Sequence, residues 1–200
     1  MRRKTFLIVT SATALAIALS VTLPQAAAPD DVTPPPVPAN LDVPAGFKAF
    51  LGAHALGTQD YICLPSGATV MWTFFGPQAT LFDDRRQQEM THFLSPNPAE
   101  SGLARATWQH SRDTSSVWAA AIASSSDPDF VAPRAIPWLL LRVVGAQYGP
   151  RLGDKLTPTT FIHRVNTAGG IAPATGCAVS ADVGKRALVP YETDYIFYRE

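Results

Sequence analysis

From Phe47 to the end of the chain, apolar residues recur with a period of two, and clusters of Gly, Pro, Ser and Asp break the pattern at short intervals. A side chain returns to the same direction every second residue in a strand, so the spacing predicts short strands joined by turns. In residues 57–63, Gln59, Tyr61 and Cys63 share one side and Ile62 takes the other; in 159–167, Phe161 and Val165 oppose Ile162, Arg164 and Asn166. In 190–198, Tyr191, Tyr195 and Phe197 oppose Glu192 and Asp194, the mark of a half-exposed strand. Residues 68–75 are apolar on both faces, which predicts a central strand with Trp72 in the core. The alanine-rich run at 117–123 is a weaker strand signal, because alanine is a poor strand former. The apolar run at 136–149 fits a buried strand or a buried helix. The expected fold is all-β: a single-domain antiparallel sandwich or barrel with long loops and room for one short helix.

Residues 1–28 read as a secretory signal peptide, with Arg2, Arg3 and Lys4 ahead of an apolar stretch and an exit at Ala26, Ala27 and Ala28. An uncleaved anchor is the alternative, but the stretch is short for a bilayer span. Arg2-Arg3 falls short of a twin-arginine signal, so ordinary export is expected. Six prolines in residues 29–46 predict a disordered tether, with the folded domain over 47–200. Removal of 1–28 leaves 13 basic against 16 acidic residues and no basic run. That balance excludes nucleic acid as a partner, and no membrane span is expected after cleavage. The protein is expected to be secreted, periplasmic or at the cell surface, and monomeric. In an oxidising compartment Cys63 and Cys177 are expected to pair, and the short C-x-x-C of a two-cysteine metal site is missing.

Several segments then fall into an order: Tyr61-x-Cys63, Trp72, His92, ATWQHSRDTSSVWA, AIPWLLL, FIHRVNTAGGIAPATGC and VPYETDYIFY. Together they resemble the DUF3455 family, secreted proteins of unknown function in bacteria and fungi, over about residues 45 to 198. The most specific part is R-V-N-T-x-G-G-x-x-P-x-x-x-C at 164–177. Two features depart from the family pattern: Thr114 stands where a DGS-like turn would have glycine, and residues 95–102 resemble an insertion. The resemblance implies no catalytic residue.

The residues themselves offer few chemistries. Gly169-Gly170 lacks the lysine and the following helix of a phosphate loop, so it reads as a tight turn that brings Cys177 to Cys63. The nucleophile motifs G-x-S-x-G and S-x-x-K are missing, no carboxylate pair stands out, and no cofactor is implied. His92, His110 and Asp113 form the alternative, a metal trio for a secreted metal-dependent enzyme, although His92 and His110 fall in sequence that predicts exposed loops. Ligand binding is the favoured reading, to a small molecule, a glycan or a cell-envelope component. Trp108 is expected to be partly exposed beside Asp113, with Trp118 and Trp138 in the core and Arg164 and Asn166 on one polar strand face.

Overall fold

The computed structural model describes residues 32–200; the expected signal peptide lies outside the described residues. Eight antiparallel strands follow one another around a closed barrel, each paired with the next and the last with the first. They are β1 (Lys48–Ser66), β2 (Thr69–Phe82), β3 (Gln88–Asn97), β4 (Leu103–His110), β5 (Ser116–Ser125), β6 (Trp138–Gln147), β7 (Phe161–Gly169) and β8 (Arg186–Arg199). The only helical elements among the described residues are three 3-10 turns, at Ala39–Leu41, Pro98–Glu100 and Ser180–Asp182. Closure leaves no free sheet edge where the ladder is complete, so the backbone groups of the strands pair without covering helices. The ambiguous run at 136–149 resolves as β6, and the alanine run as β5.

Inward-facing residues divide the barrel into two halves. One half is filled by apolar side chains, including Leu51, Leu81, Met90, Val117, Ile162 and Phe197, and Leu156 from the β6–β7 loop is fully buried among them. The other half holds Gln59, His92, Trp108, Tyr191 and Tyr195, all nearly inaccessible to solvent.

A second apolar cluster lies on the outer face of β6, β7 and β8, where Trp138, Leu140, Phe161, Val165 and Ile196 meet Leu41. This corrects the expectation of a disordered tether over residues 32–46. Pro38 and Leu41 are buried, Val32, Val37 and Val43 pack alongside, and His163 receives the strap by donating from Nε2 to the Leu41 carbonyl at 2.7 Å. The prolines hold the strap extended, and the apolar residues between them anchor it; burying Leu41 alone is worth about 1.5–3 kcal/mol.

The central strand expected over 68–75 is also corrected. β2 pairs with β3 only from Gln78 onward, so its first half forms, with the end of β1, a hairpin that projects past the barrel. Met71, Phe74 and Phe75 are therefore exposed, and Trp72 is half-buried rather than in the core. Its indole Nε1 donates to the Thr175 carbonyl at 3.0 Å and so covers the segment that carries Cys177. The Cys63–Cys177 disulfide closes that segment onto β1 across 114 residues. In the chain-entropy account a loop of that length contributes roughly 4–5 kcal/mol.

Gly169-Gly170 is the turn that its sequence implies. Both glycines have positive φ, and a Cβ on Gly169 would meet the Pro190 carbonyl oxygen at 2.6 Å. The Gly170 carbonyl accepts from the Tyr61 hydroxyl at 2.7 Å, which ties the turn to β1.

Candidate functional site

The polar half of the barrel holds a half-open cavity of about 240 Å³, and every strand contributes to its wall. The void exists because Ala106 on β4 and its cross-strand partner Ala119 on β5, with Ala121 at the rim, put small side chains next to the large rings of His92, Trp108 and Tyr195. An alanine run that weakens a strand signal is here what leaves the space. The entrance follows from strand pairing: β4 pairs with β5 only over Ala106–Gln109. Beyond Ala106 the β3–β4 hairpin turns away, held by Asn97 Nδ2, which donates to the Val144 carbonyl at 3.3 Å and to Glu100 at 2.7 Å. Phe74, Leu94 and Ala121 form an exposed rim.

His92 stacks on Trp108 with ring centroids 4.1 Å apart, and Tyr195 stands edge-on to both. The His92 Nδ1 lies 2.8 Å from the Thr107 carbonyl, which can only accept, so the proton sits on Nδ1 and Nε2 keeps a lone pair. Burial pushes the His92 pKa down to about 3, with the Arg164 charge acting in the same direction, so the ring is neutral. Burial likewise raises the pKa of Tyr191 and Tyr195, which keep their protons as donors.

Among the described residues, three of these buried groups lack a hydrogen-bond partner: Gln59 Nε2, Trp108 Nε1 and the Tyr191 hydroxyl. Gln59 and Tyr195 stand close enough to the Tyr191 hydroxyl to influence its proton, yet neither contact meets hydrogen-bond geometry. Leaving a buried donor unpaired costs about 1–3 kcal/mol each, so a cluster of them is a marked exception for a folded domain. Arg164 donates from Nε and Nη2 to the Pro137 carbonyl, at 3.2 and 2.8 Å, and has no carboxylate within ion-pair distance among the described residues. The other guanidinium on the wall, Arg105, is held bidentately by Glu100 at 2.8 and 2.6 Å.

The residues singled out in the sequence are only partly gathered here. Arg164 and Trp108 line the cavity, but Trp108 is fully buried rather than partly exposed, because its strand turns it inward onto His92. Trp118 and Trp138 are buried as expected. Asn166 does not share the Arg164 face: the ladder slips between Val165 and Ala168, Asn166 takes a φ of 52°, and its side chain turns outward to donate to Asp194 at 2.8 Å. Asp194 also meets His54 Nδ1 at 2.8 Å on that outer surface.

Asp113 lies near the opposite end of the barrel, in the β4–β5 turn. One carboxylate oxygen faces His110 Nδ1 at 2.9 Å and accepts from the Ser115 backbone and hydroxyl; the other accepts from the Lys155 backbone at 2.8 Å. Burial pulls the Asp113 pKa up, but these donors outweigh it and hold it at about 2. The carboxylate is thus spent on fastening the β6–β7 loop to the turn. His92 and His110 are not in exposed loops but buried on β3 and β4. The structure pairs His110 with Asp113 and leaves His92 against Thr107. Among the described residues, no three His, Cys, Asp or Glu side chains are grouped to hold a metal ion.

Gln59, Tyr191 and Tyr195 were missed as site residues; their signal was inward alternation on β1 and β8, carrying polar groups where a core would be apolar.

Fold and cavity together define a closed antiparallel β-barrel, apolar at one end and hollow, with unpaired donors, toward the other. Residues 44–199 match the family described as "Protein of unknown function (DUF3455)". The chain belongs to that family. No curated protein and no solved structure matches it.

Proposed function

We propose that this protein is an exported binding module that takes a small, ring-bearing molecule into the hollow half of its barrel without transforming it. The observation that carries this reading is a cavity of about 240 Å³ walled in part by buried donors with no protein partner, Gln59 Nε2 and Trp108 Nε1. A void of about 150 Å³ suffices for a benzene ring, so this one suits a ring with a short arm or a fused pair. The stacked His92–Trp108 pair offers aromatic faces and edges, and the alanines beside it on β4 and β5 leave room for a flat ring. Binding is favoured over chemistry because the titratable wall groups are poorly tuned for proton transfer near neutrality. His92 is a weak base at a pKa of about 3, and Tyr195 is a weakened acid. The buried Trp108 offers no exposed platform of the kind that stacks glycans, which favours a small molecule. Export is supported by the signal-like start and by the disulfide.

The test is titration of the oxidised protein with single-ring and fused-ring aromatic probes, followed by tryptophan fluorescence and calorimetry. Ala119→Met, which fills the void from β5, is expected to abolish binding while leaving the fold intact. Binding that persists unchanged in Ala119→Met would place the ligand elsewhere and refute the reading.

A further inference from the structure

The cavity wall holds buried donors that no group in the barrel satisfies. Gln59 Nε2 and Trp108 Nε1 are donors without acceptors, and the indole group can do nothing but donate. Arg164 has five N–H donors, of which the Pro137 carbonyl takes the Nε and Nη2 groups. The acceptors on the same wall, His92 Nε2, Gln59 Oε1 and the Tyr195 hydroxyl, leave the Gln59 and Trp108 donors unpaired among the described residues.

The charge is one-sided. Of the two guanidiniums on the wall, Arg105 is neutralised by Glu100, whereas Arg164 has no acidic partner among the described residues. The site therefore carries a single uncompensated positive charge in a half-buried setting, where a cation without a counter-ion is costly. A monoanion corrects both imbalances at once, and a planar carboxylate matches the fork of a guanidinium while leaving lone pairs for an amide and an indole N–H.

Building on the binding reading above, we propose that the ligand is a ring-bearing monocarboxylate, with its carboxylate at Arg164 and Gln59 and its ring along the His92–Trp108 stack. A dianion such as a phosphate monoester would exceed the one free positive charge. A neutral ring compound could accept from the donors but would leave the Arg164 charge uncompensated.

The experiment is calorimetric titration of the oxidised full-length protein with benzoate, cinnamate and naphthoate, each beside its primary amide. At least one acid is expected to bind roughly ten- to a hundred-fold more tightly than its amide, the span of one charge-assisted contact set. The preference should fall to within about two-fold in Arg164→Gln and persist in part in Arg164→Lys. Because Arg164 also fastens Pro137, Gln59→Glu provides a second variant that leaves that contact in place. It supplies the missing carboxylate from the protein itself, and the acid preference should again vanish. Equal binding of acid and amide, or a preference that survives both Arg164→Gln and Gln59→Glu, would overturn the carboxylate proposal and leave the binding reading standing. Failure of all six probes to bind the folded, oxidised protein would overturn both.

Discussion

Replacing Gln59 by methionine should make the unliganded protein more stable, against the usual direction for a change inside a barrel. Gln59 is 3% exposed and its Nε2 has no partner, so folding strips water from an amide group and returns nothing to it. That penalty is about 1–3 kcal/mol. Methionine has the same unbranched length and fills the same path, so little packing is lost with the amide. The net expectation is a gain of about 1–2 kcal/mol, where an ordinary substitution costs about 1 kcal/mol. In urea this appears as a midpoint raised by about 0.5–1 M at an unchanged slope, measured on the oxidised protein so that the disulfide contributes equally to both forms. The same variant should lose affinity for an acidic ring ligand, since a donor has gone from the wall. A midpoint lowered by a similar amount would show that the amide is satisfied in the free protein, and the case for an unfilled site would fail with it.

Three further outcomes follow from the geometry. Stability should be full above a pH of about 6.5 and fall as the pH drops toward about 3. In that window an unfolded histidine takes up a proton that buried His92 refuses, and His163 acts in the same direction, its pKa lowered by burial. The His92 share is on the order of 4 kcal/mol over the window, and His92→Asn, whose amide can still reach the Thr107 carbonyl, should flatten the slope of the urea midpoint against pH; an unchanged slope would remove His92 as its cause. Thr114, a β-branched residue at a φ of 58°, should gain about 0.5–1 kcal/mol on replacement by glycine, the relief of left-handed strain less the added freedom of the unfolded chain; a lower melting temperature for Thr114→Gly would refute this. Leu156→Ala should cost about 2–5 kcal/mol in urea unfolding by opening a cavity in the apolar half of the barrel, and a cost under about 1 kcal/mol would show that the loop does not seal that half.

Much of the fold was legible because a half-buried strand announces itself twice, by alternation and by the turn that ends it. The segments around Gln59, Phe161 and Tyr195 became β1, β7 and β8; Gln59, Tyr191, Tyr195 and Phe197 turn inward, whereas Phe161 and Val165 take the outer face. Sandwich and barrel remained undivided, since each strand reads alike in both and only the β1–β8 pairing separates them. The errors had local causes. Apolar residues on both faces of 68–75 imply burial only if the strand has neighbours on both sides, and the first half of β2 has one. Proline density implied a free tether, but Leu41 and its flanking valines outweigh it once an apolar outer face is available on β6 to β8.

The site was harder to see, because what distinguishes it is a mismatch between strands that are distant in sequence. Arg164 alone reads as a polar residue anchoring a turn, and it does hold Pro137. Its second meaning appears only when no carboxylate comes within reach after closure, which depends on Glu100 being engaged by Arg105 and on Asp194 facing outward to His54. At Asn166 a slip between Val165 and Ala168 reverses the face, so a residue two places from Arg164 ends on the other side of the wall. The alanines are the counterpart, unremarkable as a run but decisive beside Trp108 and His92, where each missing side chain is volume that the barrel leaves unfilled. A hollow flanked by buried donors is expensive to keep and cheap to repair, by a methionine at 59 or a larger residue at 119. The cost is accounted for if an acceptor-rich guest supplies the missing bonds, which is why the stability of Gln59→Met and the acid preference of the native barrel test the same idea from opposite sides.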